Sequence, residues 1–253
     1  PESELVGLPR SQVFEAMGGL AAFASGSRAY GELVTSDARG SEKVVRYSVS
    51  PLAPGPERNS GIVFTLRDVT SEHRKQQELA YAARHDQLTG LLNRAAFDTL
   101  LSQKVEHAAV SPFALLYIDL DHFKQVNDGW GHEVGDRALR HLCKVLQRRL
   151  RKTDVIGRLG GEEFGLLLRS TDAQAAEQLV QTLCSQLQQT PLTWGDKQEL
   201  RITATFGVAH WPSDALDAES LYRRADQRLY RGKAYGRNRV ISQGGPLQIS
   251  ELG

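Results

Sequence analysis

The chain is poor in cysteine, lacks a long apolar run and carries no excess of either charge. Its two cysteines among 253 residues, Cys143 and Cys184, both fall in helical patterns. That excludes a disulfide framework and points to buried thiols in a reducing, cytoplasmic setting. No apolar stretch approaches the length of a membrane span, and the first residues show no signal-peptide pattern. The first residue is Pro1 rather than Met, which leaves open a membrane anchor or sensor region upstream in the parent protein. Lys plus Arg number 31 against 30 Asp plus Glu, and this net +1 argues against a general surface for a nucleic-acid polymer. What is present is ordinary for a globular protein: 40% hydrophobic and 24% charged residues, in a length that suits one large or two modest domains.

Residues 1–70 read as mixed and incomplete. A short helix over 13–17 ends at Gly18-Gly19, and β-like runs follow at 44–49 and 62–66. Between them, residues 51–61 are rich in turn formers, giving a hairpin with a long loop. So few strands make a poor independent domain. Thr70 or Ser71 then reads as an N-cap, with Glu72 in the first turn where the helix dipole favours an anion. The helix from Glu72 to about Arg84 is mostly polar, with Leu79, Tyr81, Ala82 and Ala83 as its apolar content. It is either a solvated connector or a signalling helix that pairs across a dimer.

From Asp86 the pattern becomes regular. A capped, turn-rich stretch leads to a helix over 95–108, then to a strand over 113–118. That strand is a continuous apolar run, as in a central strand, and it finishes in Asp119-Leu120-Asp121. A polar loop runs through 121–136, and a helix over about 136–150 sets Leu139, Leu142, Cys143, Leu146 and Leu150 at helical spacing. A hairpin covers 155–168, followed by a helix at 172–188, a strand at 200–209, a helix at 219–235 and an edge strand at 239–241. The order contains β-α-β-β-α-β, the ferredoxin-like plan. The fold class expected is α+β, an α/β sandwich in which helices back one face of an antiparallel sheet.

The hairpin Arg158-Leu-Gly-Gly-Glu-Glu-Phe164 sets two adjacent carboxylates just past a glycine turn. Gly160 and Gly161 can take positive φ and let a bulky anion approach the backbone. Unpaired carboxylates at a sheet edge are costly to desolvate, a cost that a metal cation removes; a solvated acidic turn is the plain alternative. On the ferredoxin-like plan this hairpin neighbours the 113–118 strand, so Asp119 and Glu162 can converge on one hard cation. Magnesium takes few protein carboxylates and completes its octahedron with water and phosphate oxygens, which points to nucleotide phosphoryl transfer. In the 121–136 loop, Lys124 can offer charge to phosphate, and Asn127 and Asp136 can read a purine edge. Asp136 can equally cap the next helix. Lys233 and Arg237, near the end of the last long helix, either stabilise that helix end or reach a triphosphate.

Five motifs stand in order: Asp86-x-Leu-Thr-Gly-Leu-x-Asn-Arg94, Asp119-x-Asp-x-Phe-Lys-x-x-Asn-Asp128, Gly131-His-x-x-Gly-Asp136, Arg158-x-Gly-Gly-Glu-Glu-Phe164 and Lys233-x-x-Gly-Arg-Asn238. With them, residues 86–242 resemble a GGDEF domain, the diguanylate cyclase module that joins two GTP molecules into cyclic di-GMP. The hairpin is the Glu variant, which resembles active members. The resemblance implies a palm-type version of the fold and the following roles. Asp119, the carbonyl of Leu120 and Glu162 would hold Mg2+ (or Mn2+). Glu162 would promote deprotonation of the 3′-hydroxyl, Glu163 would hold a second ion, and Lys124 would stabilise the transition state. Phe123, Asn127, His132 and Asp136 would bind the guanosine, and Lys233 and Arg237 the phosphates. Two GTPs must face each other, so the working species would be a homodimer.

Arg151-Lys-Thr-Asp154 matches the R-x-x-D site at which the family binds its product. Arg151 can grip guanine or phosphate and Asp154 can accept guanine N–H groups, or the two form a helix-end salt bridge. Upstream, Glu4-Leu-Val-Gly7, Ala24-Ser-Gly26, the hairpin and Arg67-Asp68-Val69-Thr70 resemble the C-terminal part of a PAS sensor domain, with no ligand pocket carried over. The division expected is therefore a PAS-like part over 1–70, a signalling helix over 71–85, a GGDEF domain over 86–242 and a tail over 243–253. The rival readings are a catalytically silent module that binds GTP or cyclic di-GMP, and a PAS-type protein whose second half only dimerises. In the parent protein, a phosphodiesterase domain following Gly253 is also open.

Overall fold

The computed structural model describes residues 29–37, 39–52, 61–107, 111–169, 172–195 and 198–247. The chain divides into two compact units, Pro1–Tyr81 and Ala82–Gly253. The helix read at 13–17 and the motifs at 4–7 and 24–26 lie outside the described residues.

In the first unit, β1 (Ala29–Ser36), β2 (Glu42–Leu52) and β3 (Gly61–Asp68) form an antiparallel sheet in that order, followed by α1 (Thr70–Ala82). The hairpin is as read, but pairing runs on to Leu52↔Gly61, so Pro51 and Leu52 are strand rather than loop. β1 was not foreseen. Its apolar residues stand in adjacent pairs, Ala29-Tyr30 and Leu33-Val34, rather than alternating, and its partner β2 lends it order along eight register positions. The N-cap reading of Thr70 or Ser71 is corrected, because Thr70 is already helical. The Asp68 carboxylate accepts from the Thr70 N–H (2.9 Å) and hydroxyl, while Thr70 Oγ1 accepts the Val44 N–H at 2.9 Å. The hydroxyl is thus committed to β2 and the aspartate does the capping.

In the second unit the chain makes β4 (Leu92–Asn93), α2 (Arg94–His107), β5 (Phe113–Leu120), α3 (Phe123–Trp130) and α4 (His132–Gln147). The hairpin β6 (Val155–Gly160) and β7 (Glu163–Arg169) follows, then α5 (Ala173–Gln189) and a small ribbon of β8 (Leu192–Trp194) and β9 (Gln198–Leu200). The chain continues with β10 (Ala204–Trp211), α6 (Ala218–Ala234), β11 (Val240–Ser242) and β12 (Gly245–Leu247). Among the described residues the large sheet has the order β12-β11-β10-β5-β7-β6-β4. Its centre, β10-β5-β7-β6, is antiparallel throughout and is the ferredoxin-like arrangement read from the element order. Residues 245–247, read as tail, add a further antiparallel strand beside β11.

The expectation of helices on one face is corrected: both faces are covered. Every residue of β5 is buried. Ala114, Leu116, Ile118 and Leu120 pack with Leu139, Leu142 and Leu146 of α4 and with Val180 and Leu183 of α5. Phe113, Leu115 and Tyr117 pack the other way, with Phe97 and Leu101 of α2 and Leu221 and Leu229 of α6. α6 lies directly on β10: a Cβ at Gly207 would sit 2.1 Å from the Ala225 carbonyl oxygen, so only glycine admits this approach. The polar loop read at 121–136 is also corrected. Those residues form α3 and the start of α4, which begins at His132 rather than Asp136. Gly135 is inside α4 because α3 crosses there; a Cβ would fall 1.9 Å from Asn127 Oδ1.

Candidate active site at the end of the central strands

Strand β5 runs two residues beyond the expected 118, so Asp119 stands in the strand, opposite Glu163 of β7 and Thr205 of β10. It is a carboxylate only 6% exposed. Lys233, on the last turn of α6, brings its Nζ within 2.8 Å of Asp119 Oδ2. Burial nevertheless pushes the Asp119 carboxyl up to about 6; Lys233 works against the rise, while the nearby charges of Glu162 and Asp121 add to it. One lysine does not balance the negative charge gathered here.

The turn carrying Glu162 is held from outside. A bulge separates Arg158 from Gly160, and Gly160 and Gly161 have φ of 150° and 47°, a region that L side chains avoid. Arg158 donates from Nε and Nη2 to the Gly161 carbonyl (3.0 and 2.8 Å), and from Nη1 to both oxygens of Asp86 (3.2 and 3.1 Å). Asp86 in turn accepts the N–H (2.9 Å) and hydroxyl (2.6 Å) of Thr89. The Glu162 carbonyl accepts the Leu120 N–H at 3.2 Å, tying the turn to the end of β5.

The two glutamates have different surroundings. Glu162 is near enough to raise Asp119. Glu163 meets Arg94 Nη2 at 3.5 Å, while Arg94 Nε holds the Leu159 carbonyl at 2.7 Å. Burial, and then the charge of Glu163, push the Tyr117 hydroxyl up to about 12, which places that phenol beside the glutamate. Among the described residues no group of three or more His, Cys, Asp or Glu stands ready for a metal. Asp119 and Glu162 with the Leu120 carbonyl form a sparser set, which fits a hard cation that keeps water and phosphate oxygens. The incompletely balanced charge around Asp119 is the feature that favours a cation there.

The α3–α4 corner follows directly from β5. Phe123 is buried, Lys124 and His132 are exposed, and Asn127 and Asp136 are half-buried. Asn127 Oδ1 is a buried oxygen without a hydrogen-bond partner, and it faces Gly135. Asp136 is the fifth residue of α4, so the capping alternative for it falls away. The structure thus brings Phe123, Asn127 and Asp136 to one corner and Lys233 to Asp119, while Arg237 lies in the turn beyond α6.

A family profile described as "Diguanylate cyclase, GGDEF domain" matches residues 83–239. The chain belongs to the GGDEF family. It is 37% identical over 181 residues to the uncharacterized protein YhcK of Bacillus subtilis, covering 70% of this chain and 50% of YhcK. It is 37% identical over 179 residues to the diguanylate cyclase DgcM of Escherichia coli, covering 70% of this chain and 42% of DgcM. The chain therefore spans about half the length, or less, of these relatives. Among solved structures, the coiled coil and GGDEF domain of DgcB from Caulobacter crescentus, in complex with c-di-GMP, aligns with a TM-score of 0.63 and 29% identity, covering 68% of this chain and 92% of that one.

Within the GGDEF domain, Arg151 and Asp154 stand apart from Asp119 and Glu162. β6 separates Asp154 from the glycine turn, about 20 Å at the rise of an extended strand. Arg151 is exposed, and its backbone N–H donates to Asp154 Oδ2 at 2.8 Å, while Oδ1 accepts the Arg169 N–H at 3.3 Å. Asp154 is therefore partly engaged in shaping its own turn. Sequence reasoning gave no role to Asp86, Arg94, Arg158 or Asp121. Each lay inside a quoted motif, but each also has a partner 65 or more positions away, which only the packed fold reveals. Thr203, just before β10, and Thr205 within it were the visible sign that something polar is buried beside that strand.

Proposed function

We propose that this chain is a diguanylate cyclase that condenses two GTP into cyclic di-GMP and two pyrophosphates. The observation that carries the reading is the buried Asp119, its carboxyl raised to about 6, converging with Glu162 on a glycine turn inside a GGDEF domain. In each half-reaction the 3′-hydroxyl oxygen of one GTP attacks the α-phosphorus of the other. The new P–O bond forms as the bond to the β-phosphate bridge breaks, pyrophosphate leaves, and the hydroxyl proton departs with the help of Glu162. Asp119, Glu162 and the Leu120 carbonyl hold Mg2+ (or Mn2+), which supplies positive charge to the reacting phosphates. Asn127 Oδ1, buried and unpartnered, suits the exocyclic amine of guanine, and Asp136 suits its ring N–H. Phe123 packs beneath that corner, and the exposed His132 binds the guanosine from its rim. Lys233 and Arg237 take the phosphates, and Lys124 projects from α3 to offset charge in the transition state. For Glu163, the Arg94 and Tyr117 contacts favour holding the hairpin, with the second ion as its further role.

Ring closure needs a second site facing the first, so the working species is a homodimer. The exposed Leu79 and Tyr81 of α1 support the signalling-helix reading of residues 71–85. Residues 1–70 are read as the C-terminal part of a PAS sensor, 86–242 as the cyclase and 243–253 as its tail. Cyclic di-GMP binds at Arg151 and Asp154 and inhibits; the exposed guanidinium supports this. The test is GTP turnover with Mg2+, resolved by chromatography, in the parent and in Glu162→Gln. Cyclic di-GMP from the parent and none from the variant supports the reading. GTP or cyclic di-GMP binding without product from the parent replaces it with the silent binding module.

A further inference from the structure

Asp121 takes no part in the chemistry assigned above, yet it is only 5% exposed and surrounded by donors. Its Oδ1 accepts from the Thr205 hydroxyl at 2.6 Å. Its Oδ2 accepts both the Thr203 hydroxyl at 2.8 Å and the backbone N–H of Asn238 at 2.9 Å. Its own N–H donates to the Thr203 carbonyl at 2.9 Å. One carboxylate thereby joins the end of β5, the start of β10 and the turn that follows α6.

That turn is unusual. Gly236, Arg237 and Asn238 have φ of 104°, 62° and 46°, so two consecutive side-chain-bearing residues are left-handed. A left-handed side-chain-bearing residue, above all Arg237, is strained and persists only where its surroundings fix it. Arg237 donates its N–H to the Gly232 carbonyl at 3.0 Å, and the Phe206 N–H holds the Arg239 carbonyl at 2.9 Å. Asn238, between them, gives its backbone N–H to Asp121, while its Oδ1 accepts a long contact from the Cys184 thiol at 3.8 Å. The same turn carries Arg237 and follows Lys233, whose ammonium is on Asp119 two residues before Asp121.

We propose that Asp121 is a positioning residue for the nucleotide triphosphate: by locking the left-handed turn at 236–238 it fixes where Arg237 and Lys233 meet the phosphates. The proposal rests on the cyclase reading. Alanine at 121 leaves the Asn238 N–H without its acceptor. Asparagine keeps one, since its carboxamide oxygen can face Asn238 while a rotated Thr205 hydroxyl accepts from its amide.

The test is steady-state kinetics of cyclic di-GMP formation. Asp121→Ala should raise KM for GTP about tenfold, with kcat at saturation within about threefold of the parent, and Asp121→Asn should restore KM. A purely structural role would lower the active fraction, and with it kcat, at unchanged KM. An unchanged KM in Asp121→Ala, or no recovery in Asp121→Asn, overturns the proposal. Should Asp121→Ala fail to fold, Thr203→Val removes the hydroxyl that orients Oδ2 and is read by the same ratio, with a threefold rise in KM expected and no rise contradicting. If the parent forms no product, the cyclase reading has failed on its own. Calorimetric affinity for GTP then decides: tenfold weaker binding in Asp121→Ala upholds the tether and equal binding ends it.

Discussion

Helix α6 sends two cations toward buried aspartates, and the two pairs end in opposite states. Arg228 meets Asp214 through two bonds, 2.5 and 2.8 Å, and also donates to the Val208 carbonyl at 2.6 Å. The His210 N–H adds another donor to Asp214 at 2.7 Å. Burial works to raise the Asp214 carboxyl, but Arg228 and His210 outweigh it and hold it below the usual carboxylate range. Lys233 gives Asp119 one contact from a side chain still 33% exposed, and there burial wins. The bidentate arginine closes its site; the single lysine leaves negative charge over. A fold uses the first arrangement for its own stability, and the second leaves a place for a ligand that brings positive charge.

The largest expected effect tests the closed pair. Asp214→Ala strands Arg228 in the interior and should lower stability by about 3–5 kcal/mol in urea unfolding. A loss below about 1 kcal/mol would mean that the pair is not the structural one. Next comes the open pair, whose sign is reversed. With its folded carboxyl near 6, metal-free Asp119 holds a proton that the unfolded chain releases between about pH 4 and 6. The Asp119 contribution to stability should therefore fall by about 2 kcal/mol as pH rises through that window, and Asp119→Asn should remove that contribution from the profile. Asp214, with a lowered carboxyl, contributes stability that is present above the usual carboxylate pKa and lost as pH falls through its folded value. A parent profile that rises from pH 4 to 6 and is unchanged by Asp119→Asn would break the contrast. The smallest effect concerns the corner beside the site. Gly135→Ala pushes a methyl against Asn127 and should cost about 1–3 kcal/mol while raising KM for GTP. Unchanged melting and KM would show that α3 and α4 can part freely.

Much of this was legible in the residues, and the misses share a physical origin. The β-α-β-β-α-β order and the Asp119–Glu162 convergence follow from strand patterns and from carboxylates at strand ends. The apolar run of β5 marked a central strand, but the one-face expectation overlooked that a strand with one solvated face would alternate. The stretch from Asp121 to Asp136 read as loop because its glycines, Asn and Asp are turn formers. Gly135 instead serves a helix crossing, which no local rule reveals. The Lys233–Asp119 contact and the Asp121 tether join residues over a hundred positions apart, so only the packed fold brings them together.

The most direct test is Asp119→Asn in GTP turnover with Mg2+, read beside its melting temperature. The parent should yield cyclic di-GMP, and the variant should lose about 100-fold or more of that activity while melting at pH 7 no lower than the parent. Product formation that survives the substitution, or a variant that loses its fold along with its activity, would show that Asp119 belongs with Asp214 as a structural carboxylate.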